Sequence, residues 1–184
     1  MNVPFTDLWL PILLAGIAVF VVSSIIWTVL QYHGSDWQPL ADEDAVRSAL
    51  KGNVPGQYAI PYAAGNKDRA SEEWRAKFSD GPVAMITVVP GGNANMLSQL
   101  VQWLVWCTLI SLFVGYVAAS TLTAGAQYLK VFQVTSTVAF LAHGGMAGMR
   151  KIWFGQPFGS AAKDLVDALV YGLVSAGIFG WLWP

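Results

Sequence analysis

The sequence predicts an all-α transmembrane fold: a four-helix membrane bundle with a small α+β cytoplasmic insertion between helices one and two. Three observations predict it. The chain of 184 residues is 55% hydrophobic and only 11% charged, where a soluble domain carries about 25% charged residues. Residues 8–30, 97–119, 129–149 and 161–183 are apolar stretches, each long enough to cross a hydrocarbon core of about 30 Å. Between the first and second of them lies the only extended polar region, residues 31–96. Nine Trp and eighteen Gly fit the same setting, because both residues are common in or beside membrane helices.

The first stretch, residues 8–30, is uncharged, and Asp7 is the only charge before it. A secretory signal needs a basic start and a small-residue cleavage site; neither is present, so an uncleaved helix is expected. Pro11 falls in its first turn, where a missing N–H is harmless.

The polar module follows. Residues 42–51 (DEDAVRSALK) read as a short helix: Asp42 can cap it, acids fill the first turn, and Gly52 follows its end. Tyr58, Ile60 and Tyr62 alternate like a half-buried strand, and residues 83–89 (VAMITVV) form the clearest strand in the chain. A second short helix near residues 70–78 places Trp74 and Phe78 on one face. Pro90-Gly91-Gly92-Asn93 ends the module. An antiparallel pair of strands is marginal alone, so the module is expected to rest on the membrane face or a partner.

The second membrane helix, 97–119, spaces Ser111, Gly115 and Ala119 four apart. The third, 129–149, is the least hydrophobic, with Gln133, Ser136, Thr137, Phe140, His143, Gly144 and Ala147 on one face. That face is expected inside the bundle, because polar groups in lipid are costly. After an aromatic Pro/Gly turn at residues 152–159, the fourth helix carries Ala168, Gly172, Ala176 and Gly180. Small residues every fourth position make a groove that lets another helix approach closely. Trp181 and Trp183 suit a membrane–water boundary.

Four crossings put both termini and the loop around Thr121 on one side with Lys130. Arg47, Lys51, Lys67, Arg69, Arg75, Lys77, Arg150, Lys151 and Lys163 fall on the other. By the positive-inside rule residues 31–96 are cytoplasmic and both termini face out, in a bacterial inner membrane. Polar residues of all four helices then converge on the cytoplasmic third: His143, Asp167, Gln102, Ser23 and Ser24, with Thr28 and Gln99 nearby. His143 and Asp167 are the pair singled out, since an imidazole beside a carboxylate in low dielectric can relay protons or orient a ligand. The competing reading is that these groups only hydrogen-bond across helices.

No cofactor and no metal are expected. His143 is the one candidate, because a lone membrane histidine with small Ala139 a turn earlier locally resembles light-harvesting polypeptides. Haem between two histidines is disfavoured, since His33 is expected at the surface, far from His143. Cys107, the single cysteine, excludes an internal disulfide and reads as a buried hydrophobe. A net charge of −1 offers no field for nucleic acid. There is no G-x-x-x-x-G-K-[ST], H-E-x-x-H, C-x-x-C or G-x-S-x-G.

The opening MNVPFTDLWLPILLAGIAVFVVSS, the pieces PGQYAIPY and GPVAMITVVP, and the ending VYGLVSAGIFGWLWP resemble a family of uncharacterised bacterial multi-pass membrane proteins. The resemblance covers nearly the whole chain and implies multi-helix architecture with no known activity. The expected role is a non-enzymatic interaction or accessory subunit of a membrane complex, packing on lipid and on other subunits or copies of itself through the second and fourth helices. The alternative is a small carrier or proton-relay protein using the His/Asp/Gln cluster; a pigment- or haem-binding protein comes third.

Overall fold

In a computed structural model, residues 3–92 and 95–184 are described. In chain order the elements are α1 (Trp9–Ile25), α2 (Glu43–Leu50), β1 (Gly56–Ile60), α3 (Asn66–Arg69), α4 (Glu72–Asp80), β2 (Ala84–Val88), α5 (Leu97–Thr121), α6 (Tyr128–Phe154) and α7 (Phe158–Trp181). They form two compact units, Met1–Gln38 with Asn95–Pro184, and Pro39–Ala94.

The first unit is a bundle of the four long helices, with α1 packed on α5 and α7, and α6 packed on α7 and α5. Among the described residues three segments are long and apolar enough to cross a membrane: Phe5–Leu30, Leu97–Thr121 and Phe158–Trp181. The third helix of the expected four, α6, is long enough at 27 residues. Its Gln133, Ser136, Thr137 and His143 leave it less apolar than the others, so three spans rather than four meet that standard. The expected turn at 152–159 is also shorter. Helix α6 runs on through Arg150, Lys151 and an aromatic end until Gly155, whose φ of 70° ends it. Pro157 then directly precedes α7.

The expected burial of α6 needs correcting. Its buried stripe is Val131, Thr135, Ala139, Gly144 and Ala147, which leaves Gln133 and Thr137 exposed. Thr135 hides its polarity by donating to the Val131 carbonyl at 2.8 Å, so a threonine enters the seam more cheaply than a glutamine.

The small-residue grooves are used, but inside the chain rather than on a partner. Ala168, Gly172 and Ala176 of α7 are buried. A Cβ on Gly172 would stand 3.1 Å from the Ser136 carbonyl oxygen of α6, and one on Gly180 would strike the Tyr128 ring. Ser111, Gly115 and Ala119 of α5 are buried likewise, with Gly115 against Ile12 of α1 and Phe179 of α7. Gly144 faces Ala168, whereas nothing approaches Gly148 four residues on. Gly16 makes the closest approach to a neighbouring backbone among these glycines: a Cβ there would lie 2.8 Å from the Thr108 Cα of α5. Around these contacts Leu8, Ile12, Val114, Ala118, Val131 and Phe179 form the apolar core.

In the second unit β1 and β2 pair antiparallel, with Tyr58 opposite Ile86. Asp42 caps α2 by accepting from the Ala45 N–H at 2.8 Å, and Ser71 caps α4. Trp74 stacks on Phe78 at 4.8 Å between centroids and donates to the Pro61 carbonyl. Asn93, the last residue of the expected closing turn, lies outside the described residues.

Candidate functional site

The site begins where α1 stops being an α-helix. From Ile26 to Leu30 the chain winds one wider turn, and the Gln31 N–H reaches back five residues to the Ile26 carbonyl at 2.9 Å. Gln31 then takes a left-handed conformation, φ 52° and ψ 21°, which costs a non-glycine residue roughly 1–2 kcal/mol. Wide turns of this kind often re-aim chains at functional sites. Here the strain swings the tight turn Tyr32–Asp36 back onto α7.

That fold-back buries His33 and engages both of its nitrogens. Nδ1 lies 2.8 Å from Asp36 Oδ2, and Nε2 lies 3.1 Å from Asp167 Oδ2. Asp167, buried on α7, also accepts from the Tyr32 hydroxyl at Oδ1 and from the Tyr171 hydroxyl at 3.3 Å. One helical turn earlier on α7, the Lys163 ammonium donates to the Tyr32 carbonyl, to Ser35 Oγ and to Asp36 Oδ1, all within 2.8 Å. Lys163 and Asp167, four apart on one helix, therefore clamp the turn from both ends. The bond from Lys163, opposed by partial desolvation and helped by His33, holds the Asp36 carboxyl below the ordinary carboxylate range.

An ionised Asp36 accepts the Nδ1–H of His33, which fixes the tautomer. Nε2 is then the nitrogen that faces Asp167, and a proton between the two can lie on the imidazole, giving an ion pair, or on the carboxyl, giving two neutral partners, with no side chain moved. The indole of Trp27 covers the imidazole in a parallel stack, 4.2 Å between centroids and 5° between planes.

Asp167 has a second exposure. With Trp27, Trp103, Trp106, His143 and Tyr171 it borders a cavity of about 370 Å³. Arg150 and Asp164 border it as well, nearer the helix ends. With a rise of about 1.5 Å per residue, His143 sits roughly 16 Å from the end of α6.

These positions rearrange the expected cluster. His143 and Asp167 line one cavity, but the imidazole bonded to Asp167 is that of His33, a residue expected far away. His143 instead presents its ring edge to Tyr171, 5.2 Å between centroids, and to Trp103 at 6.4 Å. Ser23 accepts from the Trp103 indole at 2.7 Å and, with Ser24, Thr28 and Gln99, borders a separate cavity of about 360 Å³. Trp27 and Trp103 line both spaces. Gln102 borders neither of the two; it is exposed and donates to Ser98 Oγ within its own helix. Both nitrogens of His33 are occupied, which removes the arrangement of haem between two histidines. Among the described residues no His, Cys, Asp and Glu group is arranged to hold a metal ion. Cys107 is buried and free.

No family model, curated protein or solved structure matches this chain.

Sequence reasoning missed His33, Asp36 and Lys163, and a signal for them exists. His33 and Asp36 are three apart after a helix end, and Lys163 and Asp167 share a helix face. What no spacing shows is the wide turn that brings the two pairs together.

Proposed function

We propose that this chain is a polytopic protein of a bacterial inner membrane and that its chemistry is to hold and pass a proton at Asp167. The observation that carries the reading is the double role of that carboxylate. Its Oδ2 lies 3.1 Å from His33 Nε2 on the side of the clamped turn, and on the other side it borders a partly open cavity. Buried ionisable groups inside membrane helices are costly and mark ion or proton paths. A carboxylate serving only as glue would have no need to face open space.

In this reading α6 crosses as the fourth span. It is 27 residues long and packs along α7 after a short turn, so a crossing α7 carries α6 back with it. The excess of basic residues then puts Arg150, Lys163 and the polar module in the cytoplasm and both termini outside. A proton entering from the cavity is taken up by Asp167, shared with His33 Nε2 and released again from Asp167, with Asp36 remaining ionised. The test is proton uptake into liposomes holding a pH-sensitive dye under an imposed potential. The full chain should acidify the lumen faster than empty liposomes, and Asp167→Asn and His33→Gln should each lose most of that rate. Equal rates for Asp167→Asn and the unaltered chain would overturn the relay.

A second reading, a subunit of a larger membrane assembly, has its own support on α6. Thr137 returns its hydroxyl to the Gln133 carbonyl at 2.7 Å, but the exposed Gln133 amide faces outward, where lipid would leave it unpaired. Open space surrounds Gly145 and Gly148. This face replaces α5 and α7 as the proposed contact with a partner or a second copy. Crosslinking through Gln133→Cys in native membranes should give a dimer or a single heterologous adduct; monomer alone would remove this reading.

A further inference from the structure

We infer that the cavity beside Asp167 is a binding site for a quaternary ammonium group. The inference goes beyond the proton relay, because it uses the walls of the cavity rather than the His33 bond. The volume of about 370 Å³ falls within the range of small-ligand sites, about 300–1,000 Å³.

The walls select the chemistry. Trp27, Trp103, Trp106 and Tyr171 supply aromatic surface and Asp164 supplies negative charge, while Asp167, paired with His33, adds no net charge. Aromatic faces attract a cation through the ring quadrupole, most strongly where water is excluded. Trp27 gives one face to His33 and borders the cavity with the rest of its indole. The acids discriminate between kinds of cation. Asp167 already accepts from Tyr32 at one oxygen and from His33 and Tyr171 at the other. Asp164 accepts from the Gln156 amide at 2.8 Å. Asp167 therefore has both oxygens engaged, and Asp164 one of its two. A primary ammonium needs acceptors for three N–H groups, whereas a quaternary ammonium has none to satisfy. An inorganic cation would need a shell of oxygens that three indoles cannot give.

Arg150 completes the site. It borders the cavity, is exposed, and forms no salt bridge among the described residues. It is placed for the anionic part of a zwitterion, the phosphate of a phosphocholine lipid headgroup or the carboxylate of a free trimethylammonium compound.

The test is calorimetric titration of tetramethylammonium chloride into the full chain in maltoside micelles, with sodium chloride as the control salt. Saturable binding is expected, weakened tenfold or more by Trp106→Leu and Trp27→Leu and largely kept by Trp106→Phe. Both tryptophans are half exposed (53% and 51%), and an unchanged thermal midpoint in the same micelles checks that each variant is folded. No saturable heat above the control, or equal affinity in the leucine variants, would overturn the inference. Nanodiscs of phosphatidylcholine, compared with phosphatidylglycerol, identify the source. Competition relieved by Arg150→Ala assigns a lipid headgroup, and tetramethylammonium binding unaffected by either lipid assigns a free ion. Binding without proton flux would overturn the relay alone, and flux without binding this inference alone.

Discussion

The two ends of the helix bundle are built on opposite rules. At the end where the termini lie, the helices close on one another. Gly115 admits Ile12 and Phe179, and Gly180 admits the Tyr128 ring. The chain end is tied down by Gly125 N–H donating to the Pro184 carbonyl and the Trp183 indole donating to the Thr123 carbonyl. At the other end α6 and α7 still meet at Gly144 and Ala168, but large aromatic rings border open space beside them, and a lysine, a histidine and two aspartates tie the turn after α1 to α7. Small residues make a helix pair tight; bulky residues with satisfied charges make it roomy without letting it fall apart. The comparison teaches that Asp167 is affordable in this bundle because three donors surround it, and that the space beside it is framed rather than left over.

The sharpest way to break the comparison is to remove its charged centre. Asp167→Ala leaves His33, Tyr32 and Tyr171 without their shared acceptor, and losing one partner of a buried pair costs about 3 kcal/mol or more. Thermal denaturation in detergent should show that loss, and Asp167→Asn should lose less because it keeps an acceptor oxygen. Next comes the packed end of the comparison. Gly16→Val would drive a side chain into the Thr108 backbone, and overpacking of this kind costs about 2 kcal/mol; the same assay should rank it second. Lys163→Met removes the outer clamp while keeping most of the stem, and because Lys163 is partly exposed the cost should be near 1 kcal/mol.

The Lys163 clamp also has a pH signature with a definite sign. Asp36 is held below the usual carboxylate range in the folded chain. Its contribution is therefore fully present above the unfolded value of about 3.9 and is lost as pH falls through the folded value. Lys163→Met should flatten that acid limb. The smallest effect has the opposite sign. Nothing lies near a Cβ placed on Gly148, so Gly148→Ala should stabilise α6 by about 0.5–1 kcal/mol, while Gly144→Ala, facing Ala168, should not.

Much of this architecture can be read from residues alone. Hydropathy places the long helices, small-residue spacing picks out Gly172 and Gly115 as contact points, and the alternation from Tyr58 with the apolar run 83–89 finds both strands. What spacing cannot supply is the identity of the neighbour. The stripe on α7 reads equally well as a face for another subunit or for the third helix of its own hairpin, and the packed chain shows α6 lying on it. The site was half legible. Asp167 stands out as the one acid well inside an apolar helix, and His143 as the histidine at matching depth. Depth alone, however, leaves the angle around the helix open, and Gln102 fails for the same reason. His33 was hidden by the assumption that a helix ends where its apolar run ends. The wide turn and the left-handed Gln31 break that assumption, and such a reversal has no signature in composition.

The central claim, that His33 and not His143 is the partner of Asp167, is tested most directly by two double-mutant cycles on stability. The cycle of His33→Ala with Asp167→Ala should give a coupling energy of at least about 1 kcal/mol, and the cycle of His143→Ala with Asp167→Ala should be additive within about 0.5 kcal/mol. Additivity for His33 together with coupling for His143 would contradict the account.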